Sequence, residues 1–133
     1  MVRGIRNKNP GNLRITHIDW KGKVPITKNT DGEFEQFTTM ELGIRAMMMD
    51  LIHDIKKDGK DTVRKLLEVY APKEENNLEA YIKTVCHITG FEEDDVLMVN
   101  EDTISKLVAG MSFVENGGYL INNKQIAAAW VMI

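Results

Sequence analysis

The sequence predicts a single α+β domain over residues 1–133 that is mostly α-helical and carries a small β-hairpin lobe. Three observations predict this class. The length suits one domain, and 43% hydrophobic with 28% charged residues is an ordinary composition for a globular protein. Apolar residues recur at helical spacing after residue 38, and short apolar runs separated by turn residues occupy residues 15–37.

The expected hairpin follows a glycine-containing turn. Asparagines flank Pro and Gly at residues 9–12, which predicts a tight turn whose glycine lets the backbone approach a ligand closely. Val24, Ile26 and Thr27 then predict one strand, residues 29–32 a hairpin loop, and residues 33–37 the return strand.

Helix start and stop signals divide the rest of the chain. Thr38 and Glu41 form a capping-box pattern that opens a helix to about Lys57, and its broad apolar face makes it the expected central core helix. A short helix is predicted from Asp61 to about Val69, before a break at Ala71 and Pro72. Another begins at a cap at Asn76 or Asn77 and ends at Gly90, and the last one follows a cap at Asn122 or Asn123.

The helix predicted over residues 100–117 ends in an acid that faces inward. Asn100 is a suitable N-cap, and Asn116 with Gly117 supplies the stop. At about 100° per residue, Glu115 lies roughly 20° from Ile104 on the helix wheel and so points with the apolar face. Burial and the negative end of the helix dipole both raise the pKa of such a carboxyl, as a general acid requires. The alternative interpretation is a frayed helix end with Glu115 in solvent.

Composition and missing motifs exclude several other classes. A net charge of −3 argues against a dedicated nucleic-acid binder, and Cys86, the single cysteine, excludes an internal disulfide. No apolar run is long enough to span a membrane, and no signal peptide opens the chain, so we expect synthesis in the bacterial cytoplasm. No cysteine–histidine cluster, glycine-rich phosphate loop or calcium-loop spacing occurs, so no metal or cofactor is predicted.

Motifs over nearly the whole chain resemble a family of phage and prophage virion-associated proteins. These are Gly-Ile-Arg-Asn-Lys-Asn-Pro-Gly-Asn-Leu-Arg at residues 4–14, Trp-Lys-Gly at 20–22, Asp-Gly-Glu-Phe-Glu-Gln-Phe at 31–37, Glu-Leu-Gly-Ile-Arg-Ala at 41–46, Tyr-Ala-Pro-Lys-Glu-Glu-Asn-Asn at 70–77, Ala-Tyr-Ile at 80–82 and Glu-Asn-Gly at 115–117. Members are generally regarded as lysozyme-like proteins that degrade the cell wall.

A second resemblance concerns the order of motifs. Residues 7–82 resemble the succession that follows the catalytic Glu in flagellar-type glucosaminidases and lytic transglycosylases, but here the helix that ends in Glu115 comes last. The resemblance therefore implies a lysozyme-like domain that is circularly permuted, with the helix end at Glu115 packed beside residues 9–12.

These resemblances imply cleavage of the glycan strands of peptidoglycan, with Glu115 protonating the leaving oxygen. A hydrolase, a muramidase or glucosaminidase, requires a second carboxylate, for which the hairpin offers Asp31, Glu33 and Glu35. A lytic transglycosylase requires one Glu, and we favour that route because no motif places a hairpin acid near Glu115. The expected substrate-binding residues are Asn9, Asn12, Trp20, Glu35 and Tyr81. Trp20 and Tyr81 have ordinary packing roles as alternatives.

Two functions of other classes stay open at this stage. One is a non-catalytic virion structural or cell-wall-binding module with the same fold, and the other is a protein-interaction domain directed at the host. The expected location is the phage particle or the cell wall, where other virion proteins would be partners.

Overall fold

The computed structural model describes residues 1–71 and 77–133, and over these residues the fold is all-helical. The α-helices are α1 (Arg3–Arg6), α2 (Met40–Lys56), α3 (Val63–Tyr70), α4 (Leu78–Thr89), α5 (Glu101–Asn116) and α6 (Asn123–Val131), and a 3-10 helix spans Ile26–Lys28. No helix in these two ranges has the length and apolar character needed to cross a bilayer. The predicted break at Pro72 and the alternative cap Asn76 lie outside the described residues.

The predicted α+β class with a β-hairpin lobe is wrong. Within residues 1–71 and 77–133 no strand forms, and only two isolated antiparallel bridges occur, between Arg14 and Phe34 and between Lys23 and Phe37. The 3-10 helix replaces the first predicted strand. We call residues 1–38, which are largely irregular, the N-terminal lobe.

Polar side chains explain why the hairpin does not form. The Asn29 side chain accepts hydrogen bonds from the backbone N–H groups of Asp31 and Gly32 and donates one to the carbonyl of Phe34. The Asp31 carboxylate accepts from the N–H groups of Glu33 and Phe34. These bonds satisfy backbone groups that a strand ladder would otherwise pair, so the local alternative wins over β propensity.

The helical part packs around α5. This helix contacts α1, α2, α4 and α6. Its predicted apolar stripe is confirmed, since Ile104, Leu107, Val108 and Met111 are fully buried. Burial of each such side chain contributes roughly 1.5–3 kcal/mol. The stripe fixes the rotation of α5 and therefore the direction in which the side chains of its last turn point.

Several predicted helix ends are confirmed by their caps. The side chains of Asn77, Asn100 and Asn122 each accept a hydrogen bond from the helix they open, and Gly90 and Gly117 adopt the left-handed conformation that ends α4 and α5. The predicted start of α2 is one residue off. Thr39, not Thr38, is its N-cap and accepts from the N–H of Leu42. The Thr38 N–H donates to the Gly22 carbonyl, and the Thr38 carbonyl accepts from Lys8, so Thr38 belongs to the lobe.

One buried carboxylate organises the N-terminal lobe. Asp31 accepts two hydrogen bonds of 2.7 Å from Arg3, one of 3.0 Å from Arg6 and one of 2.9 Å from Asn7. The bonds from Arg3, outweighing the cost of burial, hold the pKa of Asp31 well below its ordinary value of 3.8. These contacts tie α1 to the loop of residues 29–34 and give the lobe a defined shape without a sheet.

Loss of this carboxylate is expected to loosen the lobe. Asp31→Asn should lower the free energy of unfolding by about 1–3 kcal/mol, mostly through lost hydrogen bonds, because Arg3 and Arg6 remain partly exposed and their ion pairs are screened. Urea unfolding measures this change. The matched control is Glu33→Gln, whose side chain is 62% exposed and whose stability should change little.

The pH dependence of this difference has a defined sign. A carboxyl whose pKa is lowered by folding stabilises the protein above its unfolded pKa, and this contribution is lost as pH falls toward the folded pKa. The stability gap between wild type and Asp31→Asn should therefore be full at pH 6 and shrink below the ordinary pKa of 3.8. A gap that widens toward acid would contradict this assignment.

Candidate active site between the N-terminal lobe and the helices

The turn at residues 9–12, here called the asparagine turn, docks on the C-terminal end of α5. The Asn116 side chain donates a 2.8 Å hydrogen bond to the carbonyl of Pro10. Asn12 donates to the carboxylate Oε1 of Glu115 at 3.1 Å and to its backbone carbonyl at 3.4 Å. Residues separated by more than 100 positions thus meet, and the predicted placement of the asparagine turn beside the end of α5 is confirmed.

Glu115 has a hydrogen-bond donor on each carboxylate oxygen. Asn12 faces Oε1, and the Tyr81 hydroxyl donates to Oε2 at 2.9 Å. Burial raises the pKa of Glu115, and the two donors oppose that shift because they stabilise the ionised form. The inward direction expected from the helix wheel is confirmed, so the frayed-end alternative does not apply.

Glu115 lies in a cleft between the N-terminal lobe and the helices. The cleft has a volume of about 350 Å³, within the range of small-molecule sites. The lobe contributes Gly11, Asn12, Leu13, Arg14, Thr16, Ile18, Trp20 and Phe34, and the helices contribute Asp50, Asp54, Val69, Tyr70 and Glu115. Aromatic, amide and carboxylate groups therefore converge on one concave surface.

Glycine is required where the lobe approaches the helices most closely. A Cβ atom at Gly11 would collide with the hydroxyl of Tyr70 and with the side chain of Met47. Tyr70 also donates a 2.6 Å hydrogen bond to the Gly11 carbonyl. Gly11 thus lets the lobe pack directly on α2 and α3. The sequence predicted that this glycine would allow a ligand to approach the backbone, and here it allows the helices to do so.

Two acids of α2 line the cleft although the sequence analysis did not single them out. Asp50 and Asp54 lie one helical turn apart and face the same side as Glu115. Burial, reinforced by the negative charge of Asp54, raises the pKa of Asp50 to about 6. The same helix-wheel test that identified Glu115 would have found them, since they lie roughly 60° and 20° from the buried Met47.

Two predicted substrate-binding residues lie in the interior of the lobe instead. Asn9 is fully buried, and its side-chain amide donates to the carbonyls of Leu13 and Glu35. Glu35 is 1% exposed, forms a 2.9 Å ion pair with Lys23 and accepts from the N–H of Thr16. Both side chains hold the lobe together, and neither lines the cleft.

The other predicted residues divide between the cleft surface and its support. Asn12 and Trp20 line the cleft. Tyr81 is 2% exposed and lies behind Glu115, where it orients the carboxylate rather than presenting itself to a ligand. The desolvated Tyr81 hydroxyl has a pKa raised well above 10, so it stays protonated and keeps donating.

The hairpin acids proposed as second carboxylates do not reach the cleft. Asp31 is enclosed by Arg3, Arg6 and Asn7, Glu35 is buried against Lys23, and neither is among the cleft-lining residues. Glu33 is exposed and lies 3.7 Å from Arg3 and from Arg14. A carboxylate that cooperates with Glu115 therefore has to come from the helical wall.

A metal ion would find its best set of ligands at the end of α2. In the part of the chain that the structure describes, His53, Asp54 and Asp58 bring one ligand atom each to within 4.8 Å of one another. His53 and Asp58 are largely exposed surface groups. We assign this cluster no metal-binding role.

Comparison with known proteins shows the lineage of the chain. No family model matches it. It is 33% identical over 119 residues to Protein P5 of Pseudoalteromonas phage PM2, and the matched region covers 87% of this chain and 72% of that protein. The chain belongs to the family of this phage protein. The predicted bacteriophage connection is therefore confirmed, whereas the name Protein P5 states no activity.

The Tyr81 hydrogen bond in this member of the P5 family has a measurable effect. Tyr81→Phe should raise the pKa of Glu115 further, because it removes a donor that stabilises the ionised carboxylate. Titration of the carboxyl carbon by NMR measures the change. Tyr119→Phe is the matched control, since Tyr119 is 66% exposed. An unchanged or lower pKa in Tyr81→Phe would show that the hydroxyl does not donate to Glu115.

Proposed function

We propose that this phage protein cleaves the glycan strands of bacterial peptidoglycan and that Glu115 is its catalytic carboxylate. The observation that supports this proposal most strongly is the position of Glu115. A half-buried acid with a raised pKa lies in a cleft and is oriented by donors on both oxygens. A carboxyl group in this position is suited to proton transfer during cleavage of a glycosidic bond.

The reaction we favour is that of a lytic transglycosylase. There one carboxyl group protonates the leaving oxygen and then, as a carboxylate, accepts the proton of the sugar's own 6-hydroxyl as that hydroxyl attacks. A muramidase or glucosaminidase requires a second carboxylate to act on water or on the sugar. None of the three hairpin acids fills that role in the cleft, which removes the hydrolytic partners that the sequence offered.

The cleft surface provides contacts suited to a sugar. The Trp20 ring offers an apolar face on which a pyranose ring can stack. Arg14 places a cation at the same surface, and Thr16 adds polar atoms. The side chain of Asn12 is engaged by Glu115, so we assign it the orientation of the carboxylate in place of binding to an acetamido group.

A second candidate function has a specific observation in its favour. The hydrogen bond from Asn12 to Glu115 joins the lobe to α5, and such a bond would be useful in a protein without any chemistry. A non-catalytic virion structural or wall-binding module is therefore the alternative. In either case we propose a location in the phage particle or at the cell wall, with other virion proteins as partners.

Substitution of Glu115 separates these functions. Glu115→Gln should abolish the clearing of purified peptidoglycan while the melting temperature falls only modestly, because the amide keeps the shape and one acceptor oxygen and removes a charge that is poorly placed at a helix C-terminus. Glu33→Gln is the control with an exposed acid. Muropeptide analysis identifies the reaction, since transglycosylation leaves anhydro-muramic ends and hydrolysis leaves reducing ends.

Two outcomes count against the proposal. If Glu115→Gln clears peptidoglycan at the wild-type rate, Glu115 is not the catalytic group. If the wild-type protein binds peptidoglycan in a pull-down but releases no soluble muropeptides, the non-catalytic module is the better description.

A further inference from the structure

The carboxylates of Asp50 and Glu115 line one cleft and are both shielded from solvent, but they differ in their hydrogen-bond partners. Glu115 receives a hydrogen bond on each oxygen, from Asn12 and from Tyr81. Among residues 1–71 and 77–133, no hydrogen bond contributes to the pKa of Asp50, which is set by burial and by the charges of Asp54 and His53. Donors aimed at a carboxylate favour its ionised form, and burial without donors favours the protonated form.

The neighbours of Asp50 act in the same direction. Asp54 lies one turn further along α2, and its negative charge disfavours a second one at Asp50, while His53 on the same helix opposes this weakly. On α3, Tyr70 lines the same cleft as Glu115, Asp50 and Asp54, and the charges of all three acids help raise the pKa of its phenol. Glu115 faces the cleft from α5, and Arg14 faces it from the lobe.

We propose that Asp50 is a second catalytic residue, the one that donates the proton to the leaving oxygen, and that Glu115 acts as the ionised partner. This inference rests on the proposed glycan cleavage and deepens it. In the single-carboxylate route Glu115 carries out both proton transfers. Here Asp50 carries out one and Glu115 the other. When two carboxyl groups in one site have environments that separate their pKa values, the environments assign the acid and the base.

The protons balance in this scheme. Asp50 gives its proton to the glycosidic oxygen as the bond from that oxygen to the anomeric carbon breaks. Glu115 takes the proton of the attacking hydroxyl, from the sugar's 6-position or from water, as the new bond to the anomeric carbon forms. After one turnover Asp50 is ionised and Glu115 is protonated, and exchange of one proton through solvent restores the starting state. No oxidant, metal or further reactant is needed.

The scheme predicts which carboxyl group causes each limb of the pH profile of kcat/KM. The pKa of Asp50 is raised to about 6, so kcat/KM should fall as pH rises through that value because the donor loses its proton. The acidic limb should reflect protonation of Glu115, whose pKa burial raises above its ordinary value of 4.5. In Asp50→Asn the alkaline limb near pH 6 should disappear.

Leaving-group chemistry tests the division of roles. On purified peptidoglycan, Asp50→Asn should lower kcat/KM by about 10²–10⁴-fold, the usual contribution of a general acid. On 2,4-dinitrophenyl glycosides of the two peptidoglycan sugars, whose leaving group needs no proton, the same variant should recover to within about tenfold of wild type. Glu115→Gln should stay deficient on both substrates. Asp58→Asn, just beyond α2, is the matched control and should keep full activity.

A direct titration provides a readout that needs no activity. Carboxyl-carbon NMR of the wild-type protein should show Asp50 titrating above Glu115. Among the described residues no hydrogen bond contributes to the pKa of Asp50, so Asp50→Asn should fold with an unchanged melting temperature.

The outcomes distinguish this inference from the proposed function. Full activity of Asp50→Asn on peptidoglycan, or a Glu115 that titrates above Asp50, overturns the role of Asp50 and leaves glycan cleavage standing. Recovery of Glu115→Gln but not Asp50→Asn on the dinitrophenyl glycosides reverses the two roles. A wild-type protein that is inactive on both substrates overturns glycan cleavage and this inference with it, even if the carboxyl groups titrate in the expected order.

Discussion

The hydrogen bond from Asn116 to the carbonyl of Pro10 is the contact on which the cleft depends. The last turn of a helix leaves carbonyl groups without partners, and a side chain placed there meets a negative potential. Here the asparagine turn lies against that end, and Asn12 satisfies both the backbone carbonyl and the carboxylate of Glu115. This docking places the asparagine turn over the end of α5, so that one wall of the cleft lies against Glu115.

The docking also depends on other polar contacts, which fix the shape of the lobe. Asp31 gathers Arg3, Arg6 and Asn7, and the buried Lys23–Glu35 pair holds the opposite side. A lobe of this size has little apolar core of its own, so buried charges with hydrogen-bond partners specify its conformation where a sheet would otherwise do so. The consequence for function is that the most conspicuous acids of the lobe are structural, and the acids open to a ligand belong to the helices.

The sequence predicted the helices better than the lobe for a physical reason. Helix caps and apolar periodicity are local signals, so Asn100, the Ile104 stripe and Gly117 were sufficient to define α5 and the inward direction of Glu115. The hairpin failed because β propensity competes with hydrogen bonds from side chains such as Asn29 to the backbone, and composition does not reveal which wins. Asn9 and Asn12 look equivalent in the sequence, yet one is buried and one faces the cleft.

The relationship to a phage protein does not identify the cleft acids of α2. Membership of a phage protein family assigns no reaction, so the chemistry has to be argued from the side chains. Asp50 and Glu115 are the same kind of group in the same cleft, and they differ in what surrounds them: donors at one, desolvation and Asp54 at the other. A site built to bind a cation would gain from ionising both carboxyl groups. Burial raises the pKa of both carboxyl groups, but among the described residues only Glu115 has donors that oppose the shift, so Asp50 is better suited to give a proton and Glu115 to accept one.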